Sequence, residues 1–113
     1  MNKNPLGREP SETITLSTSD YPLLQSNGAI IKNEHCVTIS FSGMKNLTPQ
    51  AMNTLLYVPE SLRPATNITL QVPSVDFAEM YRFILETSGR LSVYPYQTVT
   101  RSTNLPLAMT YAI

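Results

Sequence analysis

The 113 residues are enough for one hydrophobic core but not for two. Formal net charge is zero and charged residues make up only 14% of the chain, which argues against a nucleic-acid partner or an anionic membrane surface. A single cysteine excludes an internal disulfide framework, and no apolar run approaches the roughly 20 residues that span a bilayer, so membrane insertion is not expected.

Residues 1–12 are polar, with Pro5, Gly7 and Pro10, and read as a flexible leader or linker ahead of one domain over residues 13–113. Such an opening suits a piece of a longer protein or a chain tethered at its N-terminus. It has no apolar segment of the kind a secretory signal needs. From Thr13 the chain alternates polar and apolar residues through Leu16, the mark of a half-buried strand. Ser19-Asp20 is a turn, and residues 21–24 read as a short extended run whose Pro22 suits a sheet edge. Ser26-Asn27-Gly28 signals a tight hairpin, because Asn and Gly tolerate positive φ. A strand over residues 29–32 and a turn at Asn33-Glu34 follow.

Residues 36–42 form the clearest strand, with Val37, Ile39 and Phe41 on one face and Thr38, Ser40 and Ser42 on the other. Cys36 reads here as a small buried hydrophobe. His35 is the only histidine, and adjacent strand residues point to opposite faces, so the two cannot pair as nucleophile and base. In residues 46–53, Thr48 and Pro49 suit the start of a single helical turn, or an irregular loop feeding a strand over 54–58.

The run Tyr57-Val58-Pro59-Glu60-Ser61-Leu62-Arg63-Pro64 is a rigid corner. Pro59 and Pro64 have fixed φ and no N–H, and each pushes the preceding residue toward extended geometry. Leu62 is placed to tuck inward, and the planar fork of Arg63 suits loop carbonyls. Residues 67–73 then alternate again, with Ile68, Leu70 and Val72 on one face. In residues 75–80 Asp76, Ala78, Glu79 and Met80 are also acceptable in a helix, and a loop rising into a strand over 81–86 is the favoured reading. Ser88-Gly89 turns the chain into residues 90–94, which place Leu91 and Val93 inward and Ser92 and Tyr94 outward until Pro95 ends the run. A polar loop over 96–104 leads to a last strand over 107–113.

About eight short strands, evenly spaced and without intervening helices, predict an all-β domain. It is an antiparallel β-sandwich of jelly-roll-like kind or a small barrel. Strand parity predicts one core containing Val37, Ile39, Phe41, Ile68, Leu70, Val72, Phe83, Leu85, Leu91 and Val93. Catalytic chemistry is not readable. Only eight carboxylates are present, and no two have a context that marks them as acid and base across a cleft. Phosphate loops and serine elbows are absent, and one His with one Cys makes no ordinary zinc site. The chain is therefore expected to be no enzyme, with neither cofactor nor metal.

The Asn-Gly turn, the strand at 36–42, the corner Val58-Pro59-Glu60-Ser61-Leu62-Arg63-Pro64, the hairpin Ser88-Gly89-Arg90-Leu91-Ser92-Val93 and the ending Thr110-Tyr111-Ala112-Ile113 come in a suggestive order. Over residues 29–113 this resembles the C-terminal β-sandwich (head-type) domains of tailed-bacteriophage tail-fibre and baseplate receptor-binding proteins. In that group the corner often reads Leu-Pro-Glu-Gly-Tyr/Phe-Arg-Pro; here Val58, Ser61 and Leu62 stand at its Leu, Gly and aromatic positions. The resemblance implies a virion protein of the tail tip or baseplate, usually a homotrimer. Such a domain binds host cell-wall saccharide or holds other tail and baseplate proteins.

Sugar rings need aromatic faces for their C–H surfaces and planar polar groups for their hydroxyls. Tyr94 and Tyr96 flank Pro95, whose fixed backbone lets both rings be presented with little entropy to lose, and extended geometry continued through Pro95 puts them on one side as two adjacent faces. Gln97 and Arg101 follow as hydrogen-bond donors. Asp76, Tyr81, Arg82 and Glu86 make a second polar group around residues 75–86. The chain has no Trp, the strongest sugar platform, and any single tyrosine also fits an ordinary rim position.

Overall fold

The computed structural model describes residues 12–74, 79–98 and 105–113. The alternating segments form strands: β1 (Glu12–Leu16), β2 (Gly28–Asn33), β3 (Cys36–Phe41), β4 (Asn53–Tyr57), β5 (Ile68–Pro73), β6 (Met80–Leu85), β7 (Arg90–Pro95) and β8 (Leu107–Ala112). They build two four-stranded antiparallel sheets, ordered β1-β2-β3-β8 and β4-β7-β6-β5, which share one hydrophobic core. In the second sheet β5, β6 and β7 are a meander and β4 returns to lie beside β7, a Greek-key order. The long β4–β5 connection that this wiring requires contains the Pro59–Pro64 corner.

Register turns the alternation of the sequence into two faces per sheet. In the first sheet Ile30, Ile39 and Met109 form one inward row, and Ile31, Thr38 and Thr110 the adjacent outward row. In the second, Leu70, Phe83 and Val93 point inward, whereas Gln71, Arg82 and Tyr94 point outward. Phe41 and Phe83 meet across the two sheets with ring centroids 6.3 Å apart. The ladder slips between Thr54 and Leu56, and this bulge lets the consecutive Leu55 and Leu56 both reach the core.

Of the predicted core, Val37, Ile39, Phe41, Phe83, Leu85, Leu91 and Val93 are buried. Ile68, Leu70 and Val72 are only half-buried, because β5 is an edge strand that packs against the core from one side.

Three local expectations are corrected. Cys36 is exposed, because it sits in the outward row with Asn33 and Ala112. Ser26-Asn27-Gly28 is not a two-residue hairpin: residues 17–27 form a longer loop between β1 and β2, pinned by the Thr18 N–H donating to Asn27 Oδ1 at 3.1 Å. Gly28 serves a different purpose, since a Cβ there would lie 2.5 Å from the Ser40 carbonyl oxygen. Residues 21–24 do not form an edge strand; they turn, and the buried Leu24 makes one isolated bridge to Met44.

The segment around Thr48 resolves as the irregular loop. The Thr48 N–H donates to Asn53 Oδ1 at 2.7 Å, and the Asn53 amide donates to the carbonyls of Thr48 and Ala51, both at 2.9 Å. Gln50 adopts φ 51°, which ends any helical continuation.

Candidate functional site

The corner is held from three directions. Between Pro59 and Pro64 the chain makes one 3-10 turn, Glu60–Leu62, with Leu62 buried. Arg63 Nε donates to the Val58 carbonyl at 3.0 Å. The Val58 N–H donates to the carbonyl of Gly89, in the β6–β7 turn, at 2.8 Å. From the first sheet, the Tyr111 hydroxyl donates to the Leu62 carbonyl at 2.6 Å, and burial pushes its pKa up to about 12. Pro59, Arg63 and Pro64 thus belong to a joint that ties the Greek-key crossing to both sheets. Its exposed members, Glu60 and Ser61, bring no partner group for chemistry.

The second cluster lies on the outer face of the second sheet, where β7 leaves the ladder. The rings of Tyr94 and Tyr96 are 5.4 Å apart at their centroids, so the two residues share one side. They meet edge-on at 64° and make a corner; two parallel platforms, as continued extended geometry through Pro95 would give, are not formed. Pro95 is the last residue of β7 and is buried, and its carbonyl accepts the Gln50 N–H at 3.0 Å. The chain beyond is then redirected by the Tyr96 N–H donating to the Met80 carbonyl at 3.1 Å.

Arg82 completes this cluster. Its guanidinium carbon is 5.4 Å from the Tyr94 ring centroid and 5.9 Å from that of Tyr96, within cation–π range of both. The Tyr96 hydroxyl accepts from Gln71 Nε2 at 3.1 Å, and Gln97 Oε1 accepts the Met80 N–H at 3.3 Å. Tyr96 remains 37% exposed, so the aromatic corner is open to solvent. Gln71, Arg82 and Tyr94 stand in one row across β5, β6 and β7.

The other polar candidates part company. Tyr81 faces the core, fully buried, with its hydroxyl donating to Glu79 at 2.8 Å. Glu86 lies at the far end of the hairpin beside Arg90, 3.7 Å away. Ser92 does face outward, yet it is completely covered; Thr54 and Ile84 flank it in register and longer side chains stand on either side along β7. Arg101 and Asp76 lie outside the described residues. Among the described residues no three His, Cys, Asp or Glu side chains are grouped to hold a metal ion, and no helix is long and apolar enough to cross a membrane.

From the sequence, Tyr94, Tyr96, Gln97 and Arg101 make one group and Arg82 falls in another, while nothing singles out Gln71. The missing signal was the hairpin register. An aromatic corner, a cation stacked on it and fixed amides can hold a polyhydroxylated ring weakly; they supply no nucleophile and no acid–base pair. Compared with family models and with curated proteins, the chain matches none.

Proposed function

We propose that the chain is a non-catalytic receptor-binding domain of a phage tail or baseplate, which recognises host cell-surface saccharide through the Tyr94–Tyr96–Arg82 corner and acts in the virion as a homotrimer. The observation that carries this reading is the convergence of two tyrosines, one arginine and two glutamines at an open sheet end. Aromatic C–H stacking with side-chain amides is the chemistry that sugar rings select. A single shallow site of this kind has millimolar affinity, about 4 kcal/mol.

Replacing Tyr94 and Tyr96 together by Ala tests it. Host-cell and glycan-array binding should fall at least tenfold with the oligomer intact, since two stacking rings are lost. Unchanged glycan binding, or collapse of the oligomer, would discard the site. The alternative is an architectural domain that docks other tail subunits, and the uncharged outer face of the first sheet favours it. It predicts that the same double variant leaves host attachment intact while tail assembly fails only when that other face is altered.

A further inference from the structure

The Tyr94–Tyr96 corner gathers one cation and several hydrogen-bond donors. Gln97 Oε1 already accepts the Met80 N–H, whereas Gln97 Nε2 is buried without a partner. The Tyr96 oxygen already accepts from Gln71, which leaves its O–H to donate. Arg82 Nε is likewise buried without a partner, and the guanidinium has no ion pair to any described carboxylate. The nearby Glu79 is engaged by Tyr81, and Glu86 lies beside Arg90. Gln71 Oε1 and the Tyr94 hydroxyl remain as neutral acceptors, so what sets the corner apart is its one cation, stacked on two rings with no described carboxylate paired to it.

Building on the saccharide reading of the same site, we infer that the corner selects an acidic saccharide, one whose ring carries an oxyanion such as a carboxylate or phosphate. A neutral hydroxyl can use those neutral acceptors, but toward the guanidinium it makes only the weaker bond of an uncharged partner. An oxyanion presents acceptors only, which fits free N–H and O–H groups and gives the stronger, charge-assisted bonds. The stacked tyrosines hold the Arg82 side chain in place before the ligand arrives, so little of its freedom is lost on binding.

The experiment is a two-dimensional NMR titration of the whole chain with four probes: glucose, glucuronate, glucose 1-phosphate and inorganic phosphate. Glucuronate and glucose 1-phosphate should each bind about tenfold more tightly than glucose at low salt. Rising salt should erase that margin. Arg82→Gln should abolish the preference, bringing both acidic sugars down to the affinity that the same variant has for glucose, and Arg82→Lys should keep only part of it because the fork is gone. Equal binding of glucose and both acidic sugars would overturn the inference and leave the saccharide reading standing. Inorganic phosphate binding as tightly as glucose 1-phosphate would show an anion site without a sugar platform, and would sink both. If only one acidic sugar gains, the inference holds and the source of the oxyanion is identified. The salt series on the unaltered protein decides the matter should an Arg82 variant fail to fold.

Discussion

At the scale of single residues, Tyr111 joins stability to pH. Its hydroxyl is buried against the Leu62 carbonyl, and desolvation raises its pKa from 10.0 to about 12. The folded chain therefore holds this proton more tightly than the unfolded chain does. Below pH 10 both states keep the proton and the group adds no pH dependence. Between pH 10 and 12 the unfolded state alone deprotonates, so stability falls as pH rises, by about 2–3 kcal/mol once both pKa values are passed. Tyr111→Phe should lose about 1 kcal/mol at neutral pH, from the missing hydrogen bond. It should also show a shallower loss of stability above pH 10 than the unaltered chain. Urea unfolding of both at pH 7 and pH 11 measures this; parallel pH profiles would show that Tyr111 titrates alike in both states.

At the scale of elements, the β6–β7 hairpin sets both the structural joint and the site. Gly89 adopts φ 89°, and a Cβ there would lie 2.5 Å from the Val58 oxygen and 2.6 Å from Arg63 Nε. Gly89→Ala combines left-handed strain with disruption of the Arg63–Val58 hydrogen bond, and should cost about 2–4 kcal/mol in chemical unfolding. A cost within 0.5 kcal/mol would mean that the corner is not anchored on this turn. The same hairpin explains what was legible in the sequence. Period-two alternation identified nearly every strand and most of the core, because one face of each strand must be buried. It could not tell a tight Asn-Gly hairpin from a longer loop that ends on a glycine, since Gly28 answers to the approach of β3 across the sheet. Cys36 was misjudged for a related reason: parity puts it in the outward row, but its residue type suggests the core. The partnership of Arg82 with Tyr94 was readable in principle. The Glu86 N–H pairs with the Arg90 carbonyl across the turn, and counting four residues outward along each strand sets Arg82 opposite Tyr94.

At the scale of the whole molecule, the two outer faces differ in chemistry. The second sheet displays Arg82, Arg90 and the exposed Tyr57 and Tyr96. The first sheet displays rows of Thr13, Ile31, Thr38 and Thr110, then Thr15, Ala29, Ser40 and Ala108, with no charged residue in either row. A face without charge can surround a threefold axis without opposing like charges, so we place it toward the neighbouring copies in the proposed homotrimer. Light scattering at micromolar concentration should then give three times the 12.6 kDa chain mass. Thr38→Glu places three carboxylates near the threefold axis, beside Thr110 of β8, whose hydroxyl lies 2.9 Å from that of Thr38. The mass should fall to that of one chain while the fold is retained. Avidity supplies the functional consequence: three weak sites on one particle bind about 100-fold or more tighter than one. Cell attachment of the Thr38→Glu protein should therefore drop by that factor, with saccharide affinity per chain unchanged in the NMR titration. A monomeric unaltered chain, or a trimeric Thr38→Glu protein, would remove this face from the assembly.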